Sequence, residues 1–167
     1  MTAGSGREFY PVPFSPAMED PDAVAGNAAL LLVDIQRKFS ESTEGLRAGW
    51  LETKGTVNEA IRCFRSEGLP IVYLIYDGPM HGTSLLDSDC FADGLTPPVS
   101  GDPVISKGGM NAFCGSSLDD TLRELGCRSV IVAGMVSHCC VLATYFGAID
   151  RGYSAFILKG GISATDP

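Results

Sequence analysis

The sequence predicts an α/β fold: an open, mostly parallel, doubly wound sheet with helices on both faces, in a single domain. Three observations carry this reading. Apolar runs of strand length alternate with segments of helical period, mostly through short links. The runs over 28–35, 70–76 and 130–133 are apolar on successive residues, the pattern of parallel strands covered on both faces. Finally, 167 residues with 45% hydrophobic content hold one sizeable core, and there is no internal repeat or second domain.

Taken in order, residues 1–27 are rich in Pro, Gly, Ser and acidic side chains and read as an irregular arm; the domain spans 28–167. The first strand, 28–35, is interrupted by Asp34, with Gln36 and Phe39 just behind it. A carboxylate at the end of a buried strand must be paired, solvated by a cleft, or functional. Lys54 to Glu67 has helical period, with Val57, Ile61 and Phe64 on one face and Gly68 as its stop. Pro70 to Tyr76 is the second strand. Residues 77–102, including His81, have no period, and a connection this long in a compact domain often serves as a lid or binding loop.

Asp102 to Ser106 reads as a short third strand ending at Lys107. The turn 108–115 carries Asn111 and Phe113 but lacks the residue order of a phosphate-binding loop. Ser117-Leu118-Asp119-Asp120 predicts a capping box, with Asp in place of Glu, before a helix that buries Leu118, Leu122 and Leu125 and stops at Gly126. The strand Val130–Ala133 closes at Gly134. A helix then begins near Cys140, with Val141, Thr144, Tyr145, Ala148 and Ile149 at helical spacing and Gly152 as its stop. Ser154 to Leu158 is the last strand.

Bulk charge narrows the function. A net charge of -8 argues against nucleic acid and against an anionic membrane surface. No apolar run approaches the ~20 residues of a membrane helix, and the N-terminus lacks a secretory pattern, so a cytoplasmic location is expected. The six cysteines lie scattered through core-like segments without a CxxC pair, so reduced thiols are expected and a cysteine zinc site is not.

Chemistry concentrates at strand ends, where ligands of open α/β sheets bind. Asp34, Lys107 and Cys140 each sit at or just beyond such an end, on three different strands. Cys140 also stands where a strand turns into a helix. The N–H groups and partial positive charge there favour a thiolate and can hold an oxyanion. Alone, Cys140 reads equally as a small buried hydrophobe and Asp34 as a turn cap; the pattern of three is harder to explain that way.

The motifs Leu31-Leu32-Val33-Asp34-Ile35-Gln36 with Phe39, Lys107 followed by Asn111-Ala112-Phe113 and Gly115, and the block from Gly134 to Thr144 occur in that order. Together they resemble the isochorismatase-like cysteine hydrolase superfamily from about Ala28 onward. The resemblance implies a triad of Asp34, Lys107 and Cys140, with Cys140 rather than Cys139 as nucleophile because it directly precedes Val-x-x-Thr. It further implies a cis peptide at Met135–Val136 and an oxyanion hole from the N–H groups of Val136 and Cys140. The activity implied is C–N bond hydrolysis of a small amide, ureido or carbamoyl compound through a thioester. An isochorismatase-type vinyl-ether hydrolase and a catalytically silent binding or assembly subunit are the alternatives.

Phe39, His81, Phe113 and His138 are candidate substrate contacts; His138 stands where the family often has Asp and, with Ser137, either touches substrate or caps the helix. The Asp77-Gly78-Pro79-Met80-His81 stretch departs from the Asp-x-His spacing of the superfamily's metal-binding nicotinamidases, so no metal and no cofactor are expected. The chain ends at Asp166-Pro167, where the resemblance would continue into a last helix, so it looks short at the C-terminus. A bare sheet face or edge would favour a homo-oligomer as well as a small-molecule substrate.

Overall fold

The computed structural model describes residues 27–78 and 90–164. His81, nearly all of the N-terminal arm and the last three residues lie outside that range. Five strands form the frame: β1 (Ala28–Val33), β2 (Ile71–Tyr76), β3 (Val104–Lys107), β4 (Ser129–Met135) and β5 (Ser154–Ser163). Helices α1 (Arg37–Ser40), α2 (Glu44–Ser66), α3 (Leu118–Glu124) and α4 (Leu142–Ile149) connect them, and a π-helical turn, Ser137–Val141, leads into α4. All neighbouring strands pair in parallel, in the order β3-β2-β1-β4-β5.

The apolar run of β1 is buried along its whole length. Because side chains alternate across a strand, its two faces feed two cores. Ala29, Leu31 and Val33 pack with Leu118 and Leu122 of α3, Ala148 of α4, and Val130 and Val132 of β4. Leu30 and Leu32 pack with Trp50, Val57 and Ile61 of α2 and with Tyr73 and Met135. This is the doubly wound arrangement that the uninterrupted apolar runs predict.

Four expectations need correction. The helix expected from Lys54 begins at Glu44, because Thr43 caps it by accepting the Leu46 N–H at 3.1 Å. Its buried stripe starts at Leu46 and Trp50, while Gly45, Gly49 and Gly55 lower the helical propensity of that half and mask the period. Ser117 makes no side-chain cap; Ser116 Oγ accepts the Leu118 N–H instead. Leu125 lies past the last turn of α3 and is 44% exposed. β5 runs on to Ser163, because Ile162 and Ser163 resume pairing with Gly134 and Met135 after a register shift.

Among the described residues no helix is long and apolar enough to cross a membrane.

Candidate active site

The strand order reverses at the β1/β4 pair, the place where open α/β sheets leave a crevice at their carboxyl edge. Asp34 directly follows β1, and Cys140 sits on the turn after β4. Lys107, the last residue of β3, is two strands from β1, which ordinary strand spacing makes ~10 Å. Its long side chain spans the space in front of β2 to reach Asp34 Oδ2 at 2.8 Å.

Both members of this ion pair are out of solvent, at 0% and 1% exposure. The Lys107 ammonium also donates to the carbonyls of Gly109 at 2.9 Å and Met110 at 3.4 Å, which fixes its head group. Thr144 Oγ1, fully buried on α4, accepts the Ala112 N–H and donates to the same Met110 carbonyl. The loop that holds Lys107 is thereby fastened to the helix that follows Cys140.

Asp34 adopts φ 52°, in the left-handed region that Asp tolerates better than most residues. Its N–H still donates to Leu74 O at 3.0 Å, so the backbone turns out of β1 while anchored to β2. On the other side, Gly134 has φ 128°, and a Cβ there would lie 2.1 Å from Val33 O. Only glycine allows the end of β4 to lie this close to the end of β1.

The Met135–Val136 peptide is cis. The Val136 carbonyl then accepts the N–H groups of Cys139 at 3.1 Å and Val141 at 3.4 Å, which sets up the π-helical turn. Cys140 is half-buried on that turn and packs against the α3/α4 core. Its thiol stands close enough to the Asp34 carboxylate for each to shift the other's ionisation.

Electrostatics overturn one expectation. Burial, then the Asp34 charge, push the Cys140 thiol up to about 12, and Lys107 opposes them only in part. The helix-terminus argument for a standing thiolate therefore fails, because desolvation and an adjacent carboxylate outweigh the favourable charges. Asp34 is likewise raised, by burial first, with Lys107, the Cys140 thiol and Lys38 pulling it down. The resting site is a neutral thiol beside a carboxylate that binds a proton more readily than usual.

The other sequence candidates divide. Phe39 is half-buried, with its ring edge-on to Tyr76 at 6.0 Å between centroids, beside the site. Phe113 is 4% exposed in the core, 5.7 Å from the Tyr153 ring and under the Arg151 guanidinium. That packing places its ring in the core. His138 is exposed on the π-helical turn, which has no side-chain cap. His81 lies outside the described residues, and among those described no group of three or more His, Cys, Asp or Glu stands together to hold a metal ion.

Three further residues shape the site. Gln36 Oε1 accepts the Tyr76 N–H at 2.9 Å, locking the turn after Asp34 onto the end of β2. Lys38 Nζ donates to Tyr76 O at 2.6 Å. The Tyr76 ring lies 5.0 Å from Lys107 Nζ and folds over Gly78, where a Cβ would meet its hydroxyl at 2.1 Å. Gln36 was visible as a polar residue behind Asp34. Lys38 stands in a short polar run and Tyr76 ends a strand, so neither carries a distinguishing signal in the sequence.

The family model for the isochorismatase domain matches residues 28–167. A secreted isochorismatase effector of Verticillium dahliae is 22% identical, over 84% of this chain and 74% of its own. A ureidoacrylate amidohydrolase of Pseudomonas syringae pv. syringae is 24% identical, over 96% of this chain and 80% of its own. Among solved structures, N-carbamoylsarcosine amidase from Thermoplasma acidophilum superimposes with a TM-score of 0.74 at 28% identity, covering 83% of this chain and 84% of that one.

Proposed function

The chain belongs to the isochorismatase family, and from that premise we propose that it is a metal-independent cysteine hydrolase that cleaves the C–N bond of a small amide, ureido or carbamoyl compound. One observation carries the reading: the buried Asp34–Lys107 ion pair, 2.8 Å long, stands at the carboxyl edge of the sheet, where the turn after β4 brings Cys140. Two relatives named for a ureido or carbamoyl compound add support.

Because the thiol is neutral at rest, its proton leaves as the sulfur attacks. Asp34, made more basic by burial, takes that proton. Cys140 Sγ bonds to the substrate carbonyl carbon, and the resulting oxyanion is held by the N–H groups of Val136 and Cys140. Asp34 then gives its proton to the departing nitrogen, the C–N bond breaks, and an acyl thioester remains on Cys140. Asp34 next removes a proton from water, whose oxygen attacks the thioester; the C–S bond breaks and the thiol recovers its proton. Lys107 fixes the carboxylate in place and offsets part of its burial, so that Asp34 can act in both directions.

The test is a screen of small amides, ureides and carbamoyl compounds for released ammonia or amine, with isochorismate alongside. At least one C–N substrate should turn over, Cys140→Ala should lower that rate by ~10³ or more, and a chelator should leave it unchanged. Isochorismate cleavage that survives Cys140→Ala, with no C–N substrate found, would assign the vinyl-ether reaction instead. Loss of turnover in chelator, restored by zinc, would overturn metal independence.

A further inference from the structure

Lys38 is the cation at the site that this reaction leaves unused. It lies half-buried on α1, where its ammonium donates to Tyr76 O at 2.6 Å and stands 5.3 Å from the ring centroids of both Phe39 and Tyr76. Lys107 Nζ is 5.0 Å from that same Tyr76 ring, so two ammonium groups share one aromatic side chain. The carboxylate beside them, Asp34, is ion-paired with Lys107. Lys38 makes no ion pair among the described residues, whereas its neighbour Arg37 pairs with Asp93 and Glu41.

With the thiol neutral, Lys38, Lys107 and Asp34 carry between them one positive charge in excess, within a chain of net charge -8. The excess is local and works against the overall field, so it acts at short range. An ammonium has three donors, and Lys38 spends one on Tyr76 O. The aromatic rings fix its position and keep water from part of its surface, which strengthens a charge-assisted bond there over one at an open surface.

We propose that Lys38 is a specificity-determining residue that binds a carboxylate on the substrate. The substrate class is then a small amide or ureide that also carries an acid group a few bonds from the scissile carbonyl. This rests on the hydrolase reading above and narrows it.

The experiment uses the Cys140→Ala protein, in which binding is measured without turnover. N-carbamoylglycine and succinamate are titrated by calorimetry against their methyl esters, which keep the amide and lose the charge. Each acid should bind ~10-fold or more tightly than its ester. Adding Lys38→Gln should bring the ratio close to one, and adding Lys38→Arg should keep most of it. Equal binding of acid and ester with Lys38 intact, no binding of either acid, or equal weakening of both by Lys38→Gln would overturn the proposal; the last would mean that Lys38 acts only through Asp34.

Should Lys38→Gln fail to fold, the ratio in the Lys38-containing protein decides. It must fall as salt rises from ~20 mM to ~500 mM, and a salt-independent ratio rejects the charge. The two readings fail separately: wild-type protein that binds the acids selectively but releases no ammonia or amine from them or from any compound of the screen sinks the hydrolase reading, while equal kcat/KM for acid and ester sinks the carboxylate one.

Discussion

Two ion pairs of identical length stand at opposite edges of the sheet. At the carboxyl edge, Lys107 and Asp34 lie 2.8 Å apart; near the amino edge, Arg65 and Asp102 also lie 2.8 Å apart. The second pair is closed by ordinary partners. Arg65 also donates to Pro97 O and to the Tyr73 hydroxyl, Tyr73 donates to Thr96 O, and Asp102 accepts the Val99 N–H. It ties α2 to the entry of β3 through Arg65 Nη2 and Asp102 Oδ2, while Arg65 Nε is left without a partner among the described residues. The carboxyl-edge pair is more deeply buried, yet its carboxylate faces a thiol, a weak donor and a strong nucleophile once ionised. Distance does not separate a clamp from a reactive centre; what the remaining lone pairs meet does.

The largest expected difference comes from amidating the two carboxylates. Asp34→Asn should lower hydrolytic turnover by ~10³ or more, since Asp34 is the group that shuttles the proton in the proposed reaction. Asp102→Asn should keep turnover within a few-fold and cost about 1–3 kcal/mol of stability, read from urea unfolding. Turnover that falls equally in both would erase the distinction drawn here.

A smaller contrast lies in the cations. Lys107 opposes the burial that raises Asp34, so Lys107→Met should raise the carboxyl further. The base form then appears only at higher pH, and the acid limb of kcat/KM should move up by ~1–3 units while the rate falls. Arg65→Met should leave that limb where it is. An unmoved limb in Lys107→Met would remove Lys107 from the reaction.

The smallest effect is on the thiol. The Asp34 charge raises Cys140 and Lys107 lowers it, so Asp34→Asn removes a raising influence and leaves the lowering one. Iodoacetamide should therefore label Cys140 several-fold faster at about pH 8 in Asp34→Asn than in wild type, although hydrolysis is lost. Peptide mass spectrometry reads the site. Slower labelling would show that Asp34 assists loss of the thiol proton more than its charge opposes it.

Much of this was legible in the sequence. The unbroken apolar runs fixed the parallel sheet, and the charged residues that end them located Asp34 and Lys107. The junction of strand and helix pointed to Cys140, while its choice over Cys139 and the cis Met135–Val136 peptide came only through resemblance. What the chain hid had specific causes. Three glycines concealed the first half of α2. Phe113 had the chemistry of a ligand contact and the burial of a core residue. The ionisation state of Cys140 depends on desolvation against one carboxylate, a quantity with no signature in residue spacing.

The pairing of β1 has a consequence for synthesis. Ala28 to Val33 is buried on both faces and hydrogen-bonded on both edges, and its β4 partner stands ~100 residues later in the chain. At ~5–20 residues per second, a ribosome needs ~5–20 s to deliver that partner after β1 has emerged. For that interval the six residues Ala-Ala-Leu-Leu-Leu-Val present an uncharged strand with an open edge to whatever nascent chains are nearby. The same long-range closure that brings Asp34 to Cys140 makes the most apolar strand of the sheet the one that waits longest for its neighbour, and the one a chaperone would have most reason to hold.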